Sequence, residues 1–207
     1  SYAIQLNNTT STYETMSEDE LTKLISETNA QVQKLEQRKN ELSSQLNALK
    51  DTADKNEKAA EIAKQNAQTN GILSGRLAAT GEGVVIRISQ GSKQKIDSAI
   101  LFTLLEELRN SGAEVIEINN VRVVTSTYIS GTAGSLVCDG TKLKSPFTIR
   151  AIGDSDNLQN AVNLAGGVGS RLKVKYGATV SVSPSDKVMI KSTRQAPQYT
   201  YAHVIGQ

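Results

Sequence analysis

The stretch LTKLISETNAQVQKLEQRKNELSSQLNAL, residues 21–49, decides the architecture of this chain, because its apolar residues recur every seven positions. The two tracks of that repeat correspond to the a and d positions of a left-handed coiled coil. The predicted seam consists of Leu21, Ile25, Val32, Leu35, Leu42, Leu46 and Leu49. The pattern therefore predicts a long helix that pairs with a second helix along this seam.

The coiled-coil helix is predicted over residues 17–70. Ser17 and Glu20 have the spacing of a capping box, in which each side chain accepts a hydrogen bond from the other residue's backbone N–H. After Leu49 the seam is mainly alanine and asparagine, and Lys39 occupies an a position, where it costs stability and can select register or oligomeric state. The alternative is one amphipathic helix packed on its own domain. About 50 residues would make a helix of about 75 Å, which is long for that alternative.

The composition excludes several classes of function. The 207 residues include one Cys and one His, so the chain cannot form an internal disulfide, and a His-dependent catalytic site would have to use His203. With so few nitrogen and sulfur ligands, we predict no metal site and no cofactor. The net charge of +2 is too small to indicate a partner that is a nucleic acid.

C-terminal to the helix, the sequence predicts a hinge over residues 71–82 and one α+β domain over residues 83–192. Predicted strands and helices follow one another in the order strand, helix, strand, hairpin strands, strand, helix, strand. The strands are predicted at residues 84–88, 115–118, 121–129, 135–138, 141–143, 147–152, 178–183 and 187–192. This order indicates a sandwich close to the split βαβ, ferredoxin-like plan, with extra hairpin strands. Residues 1–16 are predicted as a disordered linker and residues 193–207 as a C-terminal tail.

Local signals mark the ends of these elements. Asp97 is a predicted N-cap for the first domain helix, and Gly112 has the position of a C-terminal glycine. The pairs Asn119-Asn120 and Asp139-Gly140 predict two-residue hairpin turns, which require a positive φ. Cys138 lies in a predicted buried strand and is interpreted as a small core residue.

One polar cluster surrounds the first of these hairpins. Glu117 lies in it, and Arg150 joins it if the strand at residues 147–152 is a neighbour. One interpretation is a hydrogen-bonded turn with a surface arginine, and the other is a recognition site at the sheet edge. The candidate partner-binding residues are Asn119, Arg122, Thr125, Ser126 and Arg150.

Three segments of the domain resemble the YlxW/YlxX-like bacterial family of unknown function. They are residues 81–85, residues 111–119 with Arg122 following, and residues 146–154. The resemblance covers about residues 17–192. It implies a protein encoded among division genes, with an N-terminal transmembrane helix, a coiled coil and this domain outside the cytoplasm. No apolar run here reaches the roughly 18 residues that span a bilayer, so we expect the membrane helix to precede Ser1.

Two hypotheses of function follow. The first is a non-enzymatic, membrane-tethered protein of the bacterial envelope that forms homo-oligomers through residues 18–70 and binds a protein or envelope partner. The second is an extracytoplasmic ligand-binding or enzymatic domain that uses the polar hairpin around Arg122. Because no nucleophile–base pair or metal-ligand set can be assembled from the sequence, the first is favoured.

Overall fold

A computed structural model describes residues 17–206 of the chain, as one long helix followed by mixed α+β structure with antiparallel sheets. The predicted linker at residues 1–16 lies outside the described residues. The chain divides into two compact units, residues 1–63 and residues 64–207. The strand and helix order agrees with the predicted α+β class.

The long helix, α1, spans Glu18–Leu73. The predicted capping box at its start is confirmed, since the Glu20 backbone N–H donates to Ser17 Oγ at 3.2 Å and the Ser17 N–H donates to Glu20 Oε2 at 3.3 Å. No residue of α1 is buried. The helix therefore has no core of its own, and Ile72 near its C-terminal end packs, partly buried, against an apolar cluster of the domain.

The second unit contains three shorter helices and eight strands among its described residues. Its strands are β1 (Ala79–Ser89), β2 (Val115–Ile118), β3 (Val121–Val123), β4 (Ile129–Ser130), β5 (Leu136–Cys138), β6 (Thr141–Leu143), β7 (Phe147–Ile152) and β8 (Thr179–Ile190). Its helices are α2 (Ser98–Asn110), α3 (Ser155–Asn163) and α4 (Val168–Val174). One sheet has the strand order β3-β2-β7-β1-β8 and the other the order β4-β5-β6.

Strand β7 lies between the two strands that α2 connects. It pairs antiparallel with β1 on one side and with β2 on the other, so β1 and β2 run in the same direction without touching. Alternate residues of these strands, such as Ile86, Ile118 and Ile149, belong to one core cluster with the apolar side chains of α2, α3 and α4. The three helices therefore cover one face of the sheet, and the intervening residues of each strand point to the other face.

The predicted turn and cap residues have the expected conformations. Asp97 Oδ1 accepts from the Ile100 backbone N–H at 2.9 Å and caps α2. Asn119 and Asn120 have φ values of 44° and 64°, and Asp139 has a φ of 46°. These residues build the two tight hairpins that the sequence predicts.

Two strands are longer than predicted, namely β8 at the C-terminal end and β1 after the long helix. Residues 179–190 form one continuous strand, although Pro184 was expected to lie in a connection between two strands. Because β8 is an edge strand, one side of its backbone has no ladder partner, and a proline is tolerated there. Its pairing continues to Ala79, so β1 starts at Ala79 and not at residue 84.

The strand predicted over residues 121–129 is divided by a turn. The Val124 N–H donates to Thr127 Oγ1 at 2.8 Å, and the Thr127 N–H donates to the Val124 carbonyl at 3.0 Å. This side-chain bond replaces a ladder bond. Strand β3 therefore ends at Val123, and β4 belongs to the second sheet.

Candidate functional site

A row of charged side chains crosses the face of the five-stranded sheet opposite α2, α3 and α4. Glu117 on β2 lies opposite Arg122 on β3 and opposite Arg150 on β7. The neighbours Ile116 and Ile118 belong to the core on the helical face. The alternation of a strand therefore places the row on the opposite face. Arg150 was expected to join this cluster only if its strand is a neighbour. It does so, because β7 pairs with β2.

Arg122 lies in the interior, and the prediction of a surface arginine is wrong. Its side chain is among the largest fully buried ones, with the residue 2% exposed. Nη1 donates to the carbonyls of Leu77 at 2.8 Å and Ser192 at 3.0 Å, and Nη2 donates to the carbonyl of Ile72 at 3.0 Å. One guanidinium thus holds together the end of α1, the segment before β1 and the segment after β8. We call these contacts the Arg122 clamp.

The clamp also provides charge at the end of α1. The last turn of that helix contains no basic residue of its own, and a cation near a helix C-terminus is favourable. Burial lowers the pKa of Arg122, and the charge of Glu117 opposes that change. Glu117 therefore compensates the desolvation of the guanidinium from within the sheet.

The other hairpin candidates are separated by the structure. The Asn119 side chain accepts from the Thr148 N–H at 2.8 Å and donates to the Lys144 carbonyl at 2.9 Å, which ties the hairpin to the start of β7. Thr125 and Ser126 are exposed at the turn after β3. They do not belong to the set of residues that surrounds Arg150. A common site of all five predicted residues is not observed.

Arg150 lies in an open cleft of about 450 Å³ on the same face of the sheet. Its Nη1 donates to Glu117 Oε2 at 3.1 Å, while the Arg150 side chain is 32% exposed and that of Glu117 only 4%. Val85 and the Arg150–Glu117 pair form the floor, and Asn120 lies at one end. The wall is formed by Ser185, Lys187 and Lys191, together with two apolar neighbours. We call this feature the Arg150 cleft.

The sequence analysis missed both lysines of the cleft. Lys187, Met189 and Lys191 are spaced two residues apart within the predicted strand at residues 187–192, a period that places them on one side of an extended chain. No local pattern shows that this strand lies near Arg150, because that placement depends on the order of the strands in the sheet.

Within residues 17–206 the structure offers little for catalysis. No three His, Cys, Asp or Glu side chains lie close enough to hold a metal ion in this part of the chain. Burial, with a contribution from Asp139, raises the pKa of the Cys138 thiol to about 11, so the thiolate that would react is disfavoured at neutral pH. His203 is exposed near the end of the chain.

The helix α1 carries the second candidate surface, the predicted seam. Six of its seven residues are large apolar side chains that are 48–70% exposed, namely Ile25, Val32, Leu35, Leu42, Leu46 and Leu49. The seventh, Leu21, is intermediate. Among the described helices, none combines the length and hydropathy needed to cross a membrane.

Comparison with known proteins places these features in a bacterial family. Residues 66–203 match the family described as "Bacterial protein of unknown function (DUF881)". UPF0749 protein Rv1825 of Mycobacterium tuberculosis is 34% identical over 169 residues, which cover 80% of this chain and 57% of that protein. UPF0749 protein YlxW of Bacillus subtilis is 30% identical over 126 residues, 56% of this chain and 54% of that protein. The chain thus spans little more than half the length of these relatives.

One solved structure resembles the fold. It is the crystal structure of an uncharacterized conserved protein from Mycobacterium tuberculosis, which matches with a TM-score of 0.61 and 35% identity over 68% of this chain and 99% of that chain. The resemblance to YlxW and YlxX that the sequence motifs indicated is confirmed, because both proteins are among the relatives.

Proposed function

The chain belongs to the DUF881 family of bacterial proteins of unknown function, and from that premise we propose that it is a non-enzymatic interaction protein that self-associates through α1. The finer parts of the proposal are a membrane tether N-terminal to this chain, a position outside the cytoplasm, and a scaffolding role in the bacterial envelope connected with cell division. These parts rest on what the family resemblance implies. A further segment such as a membrane tether is also consistent with the greater length of the relatives.

The observation that carries the proposal is the exposure of the seam. Six large apolar side chains on the seam of α1 lie in solvent, although each would gain about 1.5–3 kcal/mol from full burial. An apolar seam with a seven-residue period is covered most simply by the same seam of another α1 helix. A second copy of this chain is therefore the proposed first partner.

We also propose that the domain follows the split βαβ, ferredoxin-like plan. The support is the order of β8, β1, β7 and β2, all antiparallel to their neighbours, with helices on one face. In this plan the Arg150 cleft, on the sheet face opposite those helices, is available to a partner or ligand. Oligomerisation through α1 would bring several such faces into one assembly.

The test of self-association uses seam variants of the whole chain. Leu35→Ser with Leu42→Ser removes two adjacent d residues, and the control Gln37→Ser with Ile62→Ser places the same number of serines outside the seam. In sedimentation velocity over a range of concentrations, we expect the native chain and the control to associate. The seam variant should require at least about tenfold higher concentration, since 1.4 kcal/mol is tenfold.

Two outcomes contradict the proposal. One is a native chain that stays monomeric at all concentrations, and the other is an equal shift for the seam variant and the control. The position outside the cytoplasm is tested separately in a bacterium that produces the full-length protein. A reporter that folds only in an oxidising compartment, fused after Gln207, should be active, and its inactivity would contradict that part.

A further inference from the structure

We propose that the Arg150 cleft is a binding site for a phosphate group, carried by a small soluble molecule or by a lipid headgroup. The proposal is independent of self-association through α1. It rests on the charges that line the cleft, on their hydrogen-bonding capacity, and on the way in which Glu117 is shared between two arginines.

The first step is the positive surplus of the cleft. Arg150, Lys187 and Lys191 line it, against the single carboxylate of Glu117. Neither lysine forms an ion pair with any of the residues 17–206. An open cleft with this surplus attracts anions, because low-dielectric walls focus the field of the charges that line them.

The second step is the position of Glu117, which could have cancelled the charge of Arg150. Its carboxylate is buried and lies in register between Arg150 and Arg122. The Arg122 guanidinium is enclosed by three carbonyls. Its positive charge acts on Glu117 from β3, on the other side of β2 from Arg150. One carboxylate is therefore shared by two cations, and Arg150 retains charge and N–H donors on its exposed side.

Among anions, phosphate matches the charge and the donors of this cleft best. A phosphate monoester carries a charge of about −1.5 to −2 near neutral pH and three acceptor oxygens. Arg150, Lys187 and Lys191 together offer more cationic donors than a carboxylate, with one charge and two oxygens, can use. Arginine supplies the planar fork and lysine the flexible point charge that phosphate sites use.

The geometry also limits the kind of ligand. Lys187 and Lys191 are four residues apart, about 13 Å along an extended chain, and they stand beside a floor that crosses β1, β7 and β2. A cleft of about 450 Å³ has the size of a small-molecule site. Pyrophosphate and glycerol 3-phosphate are therefore suitable probes.

The experiment measures binding of pyrophosphate to the whole chain by titration calorimetry at low salt. The variant Lys187→Gln with Lys191→Gln should bind at least about tenfold more weakly than the native chain. The control Lys142→Gln with Lys173→Gln removes two exposed lysines elsewhere, so its net charge is the same, and it should bind as the native chain does. Equal weakening in both variants, or no binding to the native chain, would overturn the proposal.

Two further arms test the chemistry and its source. Citrate should bind at least about tenfold more weakly than pyrophosphate, and equal affinity would overturn the choice of phosphate over carboxylate. Glycerol 3-phosphate is then compared with phosphatidylcholine vesicles that contain or lack phosphatidic acid. Binding of the soluble probe alone assigns a soluble ligand, and binding of phosphatidic acid vesicles alone assigns a headgroup. Binding of both supports a phosphate site open to either source, and binding of neither overturns the proposal.

Discussion

In the helical unit, leucine and isoleucine side chains lie in solvent, whereas in the domain an arginine and a glutamate lie in the interior. Arg122 and Glu117 can be buried because their partners are built into the same domain. Arg122 donates to three carbonyls, Glu117 accepts from Arg150, and the charges of Arg122 and Glu117 attract each other. Leu35 and its seam neighbours find no such partners in the described chain. Whether a side chain of this protein is buried therefore depends more on the availability of partners for it than on its polarity.

The largest effect is expected when the same substitution is made in both regions. Leu104→Ala removes a side chain that is fully buried in α2, and the cavity should cost about 3–4 kcal/mol of the free energy of unfolding of the domain. Leu35→Ala should change that free energy by less than about 0.5 kcal/mol. Urea unfolding followed by tyrosine fluorescence, which reports on the domain through Tyr176, measures both. A loss for Leu35→Ala as large as for Leu104→Ala would contradict the comparison.

The next effect concerns the Arg122 clamp. Arg122→Ala leaves three carbonyls without their donor and removes a positive charge that acts on Glu117, so we expect a loss of about 3 kcal/mol. Arg122→Lys keeps the charge but cannot reach three acceptors, and it should fall between the native chain and the alanine variant. The matched control is Arg87→Ala on β1, an exposed arginine, with an expected loss below about 0.5 kcal/mol. Equal losses at Arg122 and Arg87 would show that the clamp contributes no stability.

The clamp also shows where prediction from the sequence ends. Caps and turns such as Ser17 with Glu20, Asp97, and Asn119-Asn120 were predictable because their partners lie within a few residues. The acceptors of Arg122 lie 45, 50 and 70 residues away, and no local pattern indicates them. Arg122, which lies between two valines, was therefore interpreted as a surface residue.

The cleft illustrates a second limit. Arg150 was predicted as a candidate, and its pairing with β2 was stated as a condition that the sheet order fulfils. The two lysines were missed because no local pattern places their strand near Arg150. Pro184 was interpreted as part of a connection, but a proline is tolerated at a sheet edge, and whether a strand is an edge depends on the whole topology.

The β2–β3 hairpin offers a smaller effect with an internal control. Asn119 and Asn120 both have positive φ, but only the Asn119 side chain bonds the backbone of Thr148 and Lys144. Glycine satisfies the backbone at either position. We expect Asn119→Gly to cost about 1 kcal/mol for the two lost hydrogen bonds and Asn120→Gly less than about 0.5 kcal/mol, measured by thermal or urea unfolding. Equal costs would assign the role of Asn119 to its backbone alone.

The smallest effect tests a single polar contact inside the domain. The Tyr176 hydroxyl donates to Asp97 Oδ2 at 2.8 Å, while the other oxygen of Asp97 caps α2. Burial raises the pKa of Tyr176 to about 12, and the hydrogen bond to Asp97 adds to that change. At neutral pH, Tyr176→Phe should cost about 1 kcal/mol, the usual net value of one hydrogen bond. The exposed Tyr128 gives the control Tyr128→Phe, for which we expect a smaller loss.

The pH dependence separates this hydrogen bond from simple packing. Because the pKa of Tyr176 is higher in the folded chain than the ordinary value near 10, its contribution is complete below pH 10 and is lost as the pH rises to about 12. The native chain should therefore lose stability over this window more steeply than Tyr176→Phe. Both proteins retain Cys138, with its pKa of about 11, so that loss cancels in the difference. If stability falls equally with pH in the two proteins, the Tyr176 hydroxyl ionises alike in the folded and the unfolded chain. The interior of the domain would then not favour its neutral form.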